Sequence, residues 1–133
     1  MIDFRSNPAL SINEDIIMHL SVRCDEKVIV RNNFENGSWG TEDRFGGNPI
    51  KANQMFEISI QVRNYDFKLS INGKHFCNFN HRLPCNLAQY IHVTGNCLID
   101  HILLEQNTQP IINVIQAPSV YYSDGHSIHN TLD

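Results

Sequence analysis

The sequence predicts an all-β fold, an antiparallel β-sandwich of two sheets. Three observations carry this. Apolar and polar residues alternate with period two in several segments, two Asn-Gly turns punctuate the chain, and no segment has sustained helical periodicity. At 133 residues the chain is the size of one domain, and 41% hydrophobic content suffices for one core.

Each element follows from its residues. A short strand opens near Ile2–Arg5. In IIMHLSVR, residues 16–23, Ile16, Met18, Leu20 and Val22 fall on one face and Ile17, His19, Ser21 and Arg23 on the other. Successive side chains of a strand point to opposite sides of the sheet, so this is a half-buried strand with a polar trio projecting from one surface. Residues 28–32 form a β-branched strand, and Asn36-Gly37-Ser38 reads as a turn, although it also spells a glycosylation sequon. Phe56, Ile58, Ile60 and Val62 alternate with polar neighbours. Phe67, Leu69 and Ile71 do the same before Asn72-Gly73, which predicts a hairpin over 66–80. Residues 84–89 read as a turn, and 90–94 and 98–105 as the last strands, parted by Gly95-Asn96. Phe76 and Phe79 read as packing residues. After residue 105 the composition becomes polar with two prolines, so 106–133 reads as a tail or linker with some capacity to pair as a strand.

Composition narrows the function. The formal net charge of −4 and the lack of a basic block argue against nucleic acid as a partner, since phosphate neutralisation needs a basic patch. No apolar run approaches the roughly 18 residues of a spanning helix, and the first residues lack the pattern of a secretory signal. The four cysteines, Cys24, Cys77, Cys85 and Cys97, form no C-x-x-C pair and read as reduced thiols. No G-x-S-x-G, H-E-x-x-H, P-loop or zinc spacing occurs. Asp124, His126 and His129 read as part of a polar tail and not as a metal cluster, so neither metal nor cofactor is expected.

The segment 19–44 resembles the carbohydrate-binding core of the galectins. That family's blocks are H-x-N-P-R, V-x-N and W-G-x-E-x-R. Here they stand as His19-Leu20-Ser21-Val22-Arg23, Val30-Arg31-Asn32 and Trp39-Gly40-Thr41-Glu42-Asp43-Arg44. The sequence Asn80-His81-Arg82-Leu83 also resembles the family's latter half, and the likeness covers roughly residues 2–105. It implies a partial carbohydrate-recognition domain of jelly-roll, concanavalin A-like fold over 1–105 and a non-enzymatic lectin for β-galactoside glycans. Only Glu42 lies in the site, whereas glycoside hydrolysis needs two carboxyls.

The resemblance assigns the residues. Trp39 packs its indole on the C–H face of galactose. His19 and Arg23 take the axial 4-hydroxyl, Arg23 also reaching the ring oxygen. Asn32 and Glu42 take the 6-hydroxyl, and Glu42 pairs with Arg23 and Arg44 to hold the guanidiniums. Ser21 and Val22 depart from the family's Asn-Pro. Val22 falls on the buried face, but Ser21 is a peripheral contributor that loses a polar contact or makes it through water. That change weakens binding by about tenfold or more.

The family's sandwich has strands before the one that opens here. Either the chain is a truncated or alternative product, or residues 110–122 stand in for a missing strand. An uncovered edge invites a homodimer. The resemblance further implies cytosolic synthesis with export that needs no signal peptide. The competing reading is a structural or protein-interaction sandwich with weakened or lost sugar binding.

Overall fold

A computed structural model describes residues 1–8, 14–105 and 119–122. Nine strands appear there: β1 (Ile2–Arg5), β2 (Ile16–Arg23), β3 (Val28–Glu35), β4 (Ser38–Trp39), β5 (Ile58–Val62), β6 (Asp66–Ile71), β7 (Lys74–Asn80), β8 (Tyr90–Val93) and β9 (Ser119–Tyr122). They form a six-stranded sheet, β4-β3-β2-β1-β8-β9, and a three-stranded sheet, β5-β6-β7. Every pairing is antiparallel except β8–β9, which is parallel. The fold is the all-β two-sheet sandwich that the alternation predicts. No α-helix occurs among the described residues, and Cys85–Leu87 makes one 3₁₀ turn.

The two Asn-Gly pairs close hairpins. Asn36 and Gly37 between β3 and β4, like Asn72 and Gly73 between β6 and β7, all have positive φ, as a two-residue type I′ turn demands. This fixes the register Glu35↔Ser38, which carries Trp39 to the sheet edge opposite Phe34.

Between the sheets lies one hydrophobic cluster. The large sheet supplies Phe4, Met18, Leu20, Ile29, Ile91 and Val93, and the small sheet Phe67, Leu69, Ile71 and Phe79. Phe4 and Phe67 meet across the layers with ring centroids 5.3 Å apart. Phe79 is buried and Phe76 packs against the cluster, in keeping with their reading as packing residues.

Three details differ from strict alternation. A register shift lies between Ile16 and His19 in the β2–β3 ladder, and Ile17, expected beside His19 on the polar face, is fully buried in the core cluster. A bulge of this kind inserts a residue and re-aims its neighbours. β3 runs on to Glu35, three residues past its expected end. The strand expected over 98–105 is absent. Ile99, Ile102 and Leu104 pack on the core, while Leu98 and Leu103 are exposed. Core contacts at 99 and then at 102 and 104 break the period of two, and no described strand pairs with this segment. Most of the expected tail over 106–133, with Asp124, His126 and His129, lies outside the described residues, apart from β9.

Candidate functional site

The polar trio of β2 and its neighbours on β1 and β3 form the base of the site. Antiparallel register sets Asp3 opposite His19, and His19 opposite Asn32. A single row thus crosses three strands. His19, Ser21 and Asn32 are all buried. Above them stands Trp39, 52% exposed. Its ring lies 4.7 Å from the His19 ring and meets Phe34 edge-on at 5.1 Å. One flank of the indole is thereby held by two rings while the remainder faces solvent, the disposition that stacking on an apolar ligand face needs.

The rim is charged. Glu42 bridges two arginines, its Oε2 2.6 Å from Arg44 Nη1 and its Oε1 3.6 Å from Arg23 Nη2. Glu26 closes the ring, accepting from Arg44 Nη2 at 2.6 Å and Arg23 Nη1 at 3.5 Å. Arg23 Nε also donates to Ser21 Oγ at 3.3 Å. Hydrogen bonding from Arg44, with the charge of Arg23, holds the Glu26 carboxyl below its ordinary range, and the two carboxylates push the Arg44 guanidinium up. Exposed pairs of this kind add little stability. Their consequence is positional, since planar guanidinium forks are fixed before a ligand arrives.

The segment carrying Glu42 and Arg44 is aimed from beneath. Arg31, on the core-facing side of β3, is 1% exposed. Its Nη1 donates to the Ile29 carbonyl at 2.7 Å and the Phe45 carbonyl at 2.8 Å, and its Nη2 lies 3.1 Å from Asp43 Oδ1. Backbone bonds pair Arg31 with Asp43 in both directions. Asp43 therefore points down to Arg31, and alternation sends Glu42 and Arg44 up to Arg23. The guanidinium also lies over the Phe76 ring at 5.2 Å.

Asn32 is held at both ends of its amide. Its Nδ2 donates to the Gly40 carbonyl at 3.0 Å, and its Oδ1 accepts from Arg82 Nη1 at 2.9 Å and the Asn33 amide at 2.8 Å. Gly40 has no room for a side chain. A Cβ there would collide with Asn33 Oδ1 and come within 3.0 Å of Arg82 Nη1 and Asn32 Oδ1. The glycine of the Trp-Gly pair thus answers to close approach. Arg82 in turn lies over the Phe79 ring at 4.7 Å.

The structure therefore brings the seven predicted site residues onto the β2–β3–β4 region and the segment beside it. Asn32 is less available than expected. An open groove of about 470 Å³ borders Trp39, but of the predicted residues it touches only Trp39; Asn33, Glu35 and Arg82 are among its walls. Sequence reasoning missed Asp3, Glu26, Arg31, Asp43 and Arg82. For Arg31 a signal existed, because alternation from Val30 and Asn32 puts it on the core side, where a charge requires a partner. For Asp3 none did, since its partner lies 16 residues away; Arg82 stands in the 80–83 block that resembles the family, but its partner, 50 residues away, left its role unread.

A family model described as "Galactoside-binding lectin" matches residues 1–104. The chain is 36% identical over 101 residues to a 32 kDa beta-galactoside-binding lectin of Caenorhabditis elegans, covering 76% of this chain and 36% of that protein. It is 43% identical over 90 residues to Galectin-4 of Bos taurus, covering 66% and 27%. Thus the chain spans about a third or less of the length of these two relatives. Among solved structures, Caenorhabditis elegans galectin LEC-6 matches with a TM-score of 0.59 at 30% identity, over 68% of this chain and 59% of that one. Sheep Galectin-11 matches with a TM-score of 0.58 at 26% identity, over 65% and 62%.

Proposed function

The chain belongs to the galactoside-binding lectin family, and we propose that it is a non-enzymatic, metal-independent lectin that binds the β-galactoside ends of glycans. The observation that carries this is the union of a half-exposed indole, clamped by His19 and Phe34, with the ring of Arg23, Glu42, Arg44 and Glu26. A galactose has an apolar C–H face and a rim of hydroxyls. Trp39 suits the face, and His19, Arg23 and Glu42 suit the rim. Arg44 orients Glu42, Asn32 supports the floor, and Ser21 contributes by fixing Arg23. Residues 1–105 act as the carbohydrate-recognition domain and 106–133 as its tail or linker.

Glycoproteins and glycolipids are the expected carriers, with no nucleic acid and no insertion into membrane. No helix among the described residues is long and apolar enough to cross one. Cys24, Cys77 and Cys85 carry free thiols, which suits synthesis in the reducing cytosol, with export independent of a signal peptide as the accompanying route. Among the described residues no strand pairs with the outer edges of β5 and β7, which suits a homodimer.

The direct optical test is Trp39 fluorescence in the presence of millimolar lactose, with amide shifts of β2 and β3 followed by NMR. Saturable changes in both are expected. A folded sample that shows neither would favour a second reading, an interaction module that has lost sugar binding. The doubly occupied amide of Asn32 is the observation that speaks for it.

A further inference from the structure

We propose that Asp3 is a positioning residue that sets the specificity of the sugar site, by fixing the proton of His19 on Nδ1 and leaving Nε2 as an acceptor for a hydroxyl proton. This rests on the lectin reading and deepens it.

The register of β1 makes Asp3 the neighbour of two histidines, His19 on β2 and His92 on β8. Its Oδ1 lies 2.5 Å from His19 Nδ1, with both side chains 9% exposed. An ionised carboxylate only accepts, so this contact requires the proton on Nδ1. A neutral imidazole has one such proton, and Nε2 is then a bare lone pair. Rotating the ring by half a turn would exchange Nδ1 for a carbon. The Asp3 contact opposes that rotation, and the Trp39 ring at 4.7 Å restrains the imidazole from the side.

Two further groups keep the carboxylate committed to His19. Arg5 Nη1 stands 3.9 Å from the other oxygen of Asp3, adding positive charge on that side. Burial pushes the His92 imidazole below its ordinary 6.5, so His92 stands beside Asp3 uncharged at neutral pH.

The consequence is directional. A hydroxyl carries one proton and two lone pairs. His19 Nε2 takes the proton, and Arg23, which only donates, serves the oxygen from two positions along the same strand face. The pair accepts a group that both donates and accepts. Fluorine at the same position keeps the acceptor and loses the donor, so it sets one lone pair against another. A carboxylate orienting a ligand-facing imidazole through its other nitrogen is known physics from metal sites, transferred here to a sugar hydroxyl.

The test compares lactose with 4-deoxy-4-fluoro-lactose, altered on the galactose ring, by titration calorimetry on wild type and Asp3→Asn. Wild type should prefer lactose by about tenfold or more, one hydrogen bond and its direction. In Asp3→Asn the imidazole is free to take either tautomer. Lactose affinity should fall by about tenfold while the weak binding of the fluoro sugar stays unchanged. Equal losses on both sugars overturn the role of Asp3 alone. A wild type that binds neither sugar overturns the lectin reading and the proposal with it. Because the variant can fail to fold, nitrogen-15 NMR of His19 in sugar-free wild type is the companion measurement. A protonated Nδ1 with a bare Nε2 is the expected pattern, and the reverse overturns the proposal whatever the sugars do.

Discussion

Arg23 has three neighbours before any ligand arrives: Ser21 Oγ, Glu26 and Glu42. A side chain already ordered loses less entropy on binding, which favours affinity without an added contact. Ser21 thus has a role the sequence did not reveal, accepting from Arg23 Nε, yet a serine is too short to reach far above the sheet. Ser21→Asn should raise lactose affinity by about tenfold, the worth of one well-made neutral hydrogen bond. Calorimetry reads this directly, and an unchanged affinity would mean that the buried floor of Ser21 has no room to present an amide. At this scale the sequence was most legible where a motif was complete. Trp39, Gly40, Glu42 and Arg44 stand as one block in the sequence, and the Glu42 bridge to Arg23 and Arg44 that the resemblance implies is present. Asp3 and Glu26 were invisible because their importance arises from register and a turn, which no local pattern encodes.

The isolated bridge between Arg31 of β3 and Asp43 is the feature on which the rim depends. Removing Asp43 leaves a buried guanidinium one acceptor short, a penalty of about 1–3 kcal/mol. Asp43→Ala should therefore lower the urea midpoint and, by releasing the segment, weaken lactose binding as well. Loss of stability with intact affinity would show that Glu42 and Arg44 do not rely on Arg31 for their aim. Alternation is enough to find β2 and β6, and Asn72-Gly73 is enough to find the β6–β7 hairpin, whereas Asn36-Gly37 reads only as a turn and the short β4 after it carries no pattern of its own. Alternation failed where tertiary contact decided the outcome. The register shift that takes Ile17 into the core cannot be read from IIMHLSVR alone. In residues 98–105 three apolar side chains find the core without a ladder partner, so a strand-like composition yields an irregular cover. A strand within 110–122 is among the sequence expectations and β9 falls there, but its parallel pairing with β8 was beyond local reading, because it joins segments far apart in the chain.

For the molecule as a whole, ionisation predicts how stability responds to pH. Burial lowers the pKa of His92 below 6.5, so near pH 8 it is neutral in both folded and unfolded chains. As pH falls through 6.5 the unfolded chain takes the proton first, and stability declines until the folded value is passed. Glu26 and Asp66 are lowered from 4.5 and 3.8 by hydrogen bonds from Arg44 and Arg63 respectively. Their contribution is present above those values and is lost as pH falls through the folded ones, the more weakly for Glu26 because it is exposed. Melting temperature should thus step down twice on acidification, and His92→Asn should remove the first step, in the interval that opens as pH falls through 6.5. A melting temperature flat across that interval would contradict the burial of a neutral His92. On the proposed reading, one face of the large sheet offers a half-exposed indole and a fixed pair of guanidiniums to a galactoside. Lactose titration by calorimetry on the 133-residue chain, beside Arg23→Ala, tests that reading most directly. Saturable heat is expected from the wild type and none from Arg23→Ala, with the fold of both intact by circular dichroism. A folded wild type that gives no heat, or an Arg23→Ala chain that binds as well as its parent, would contradict the reading.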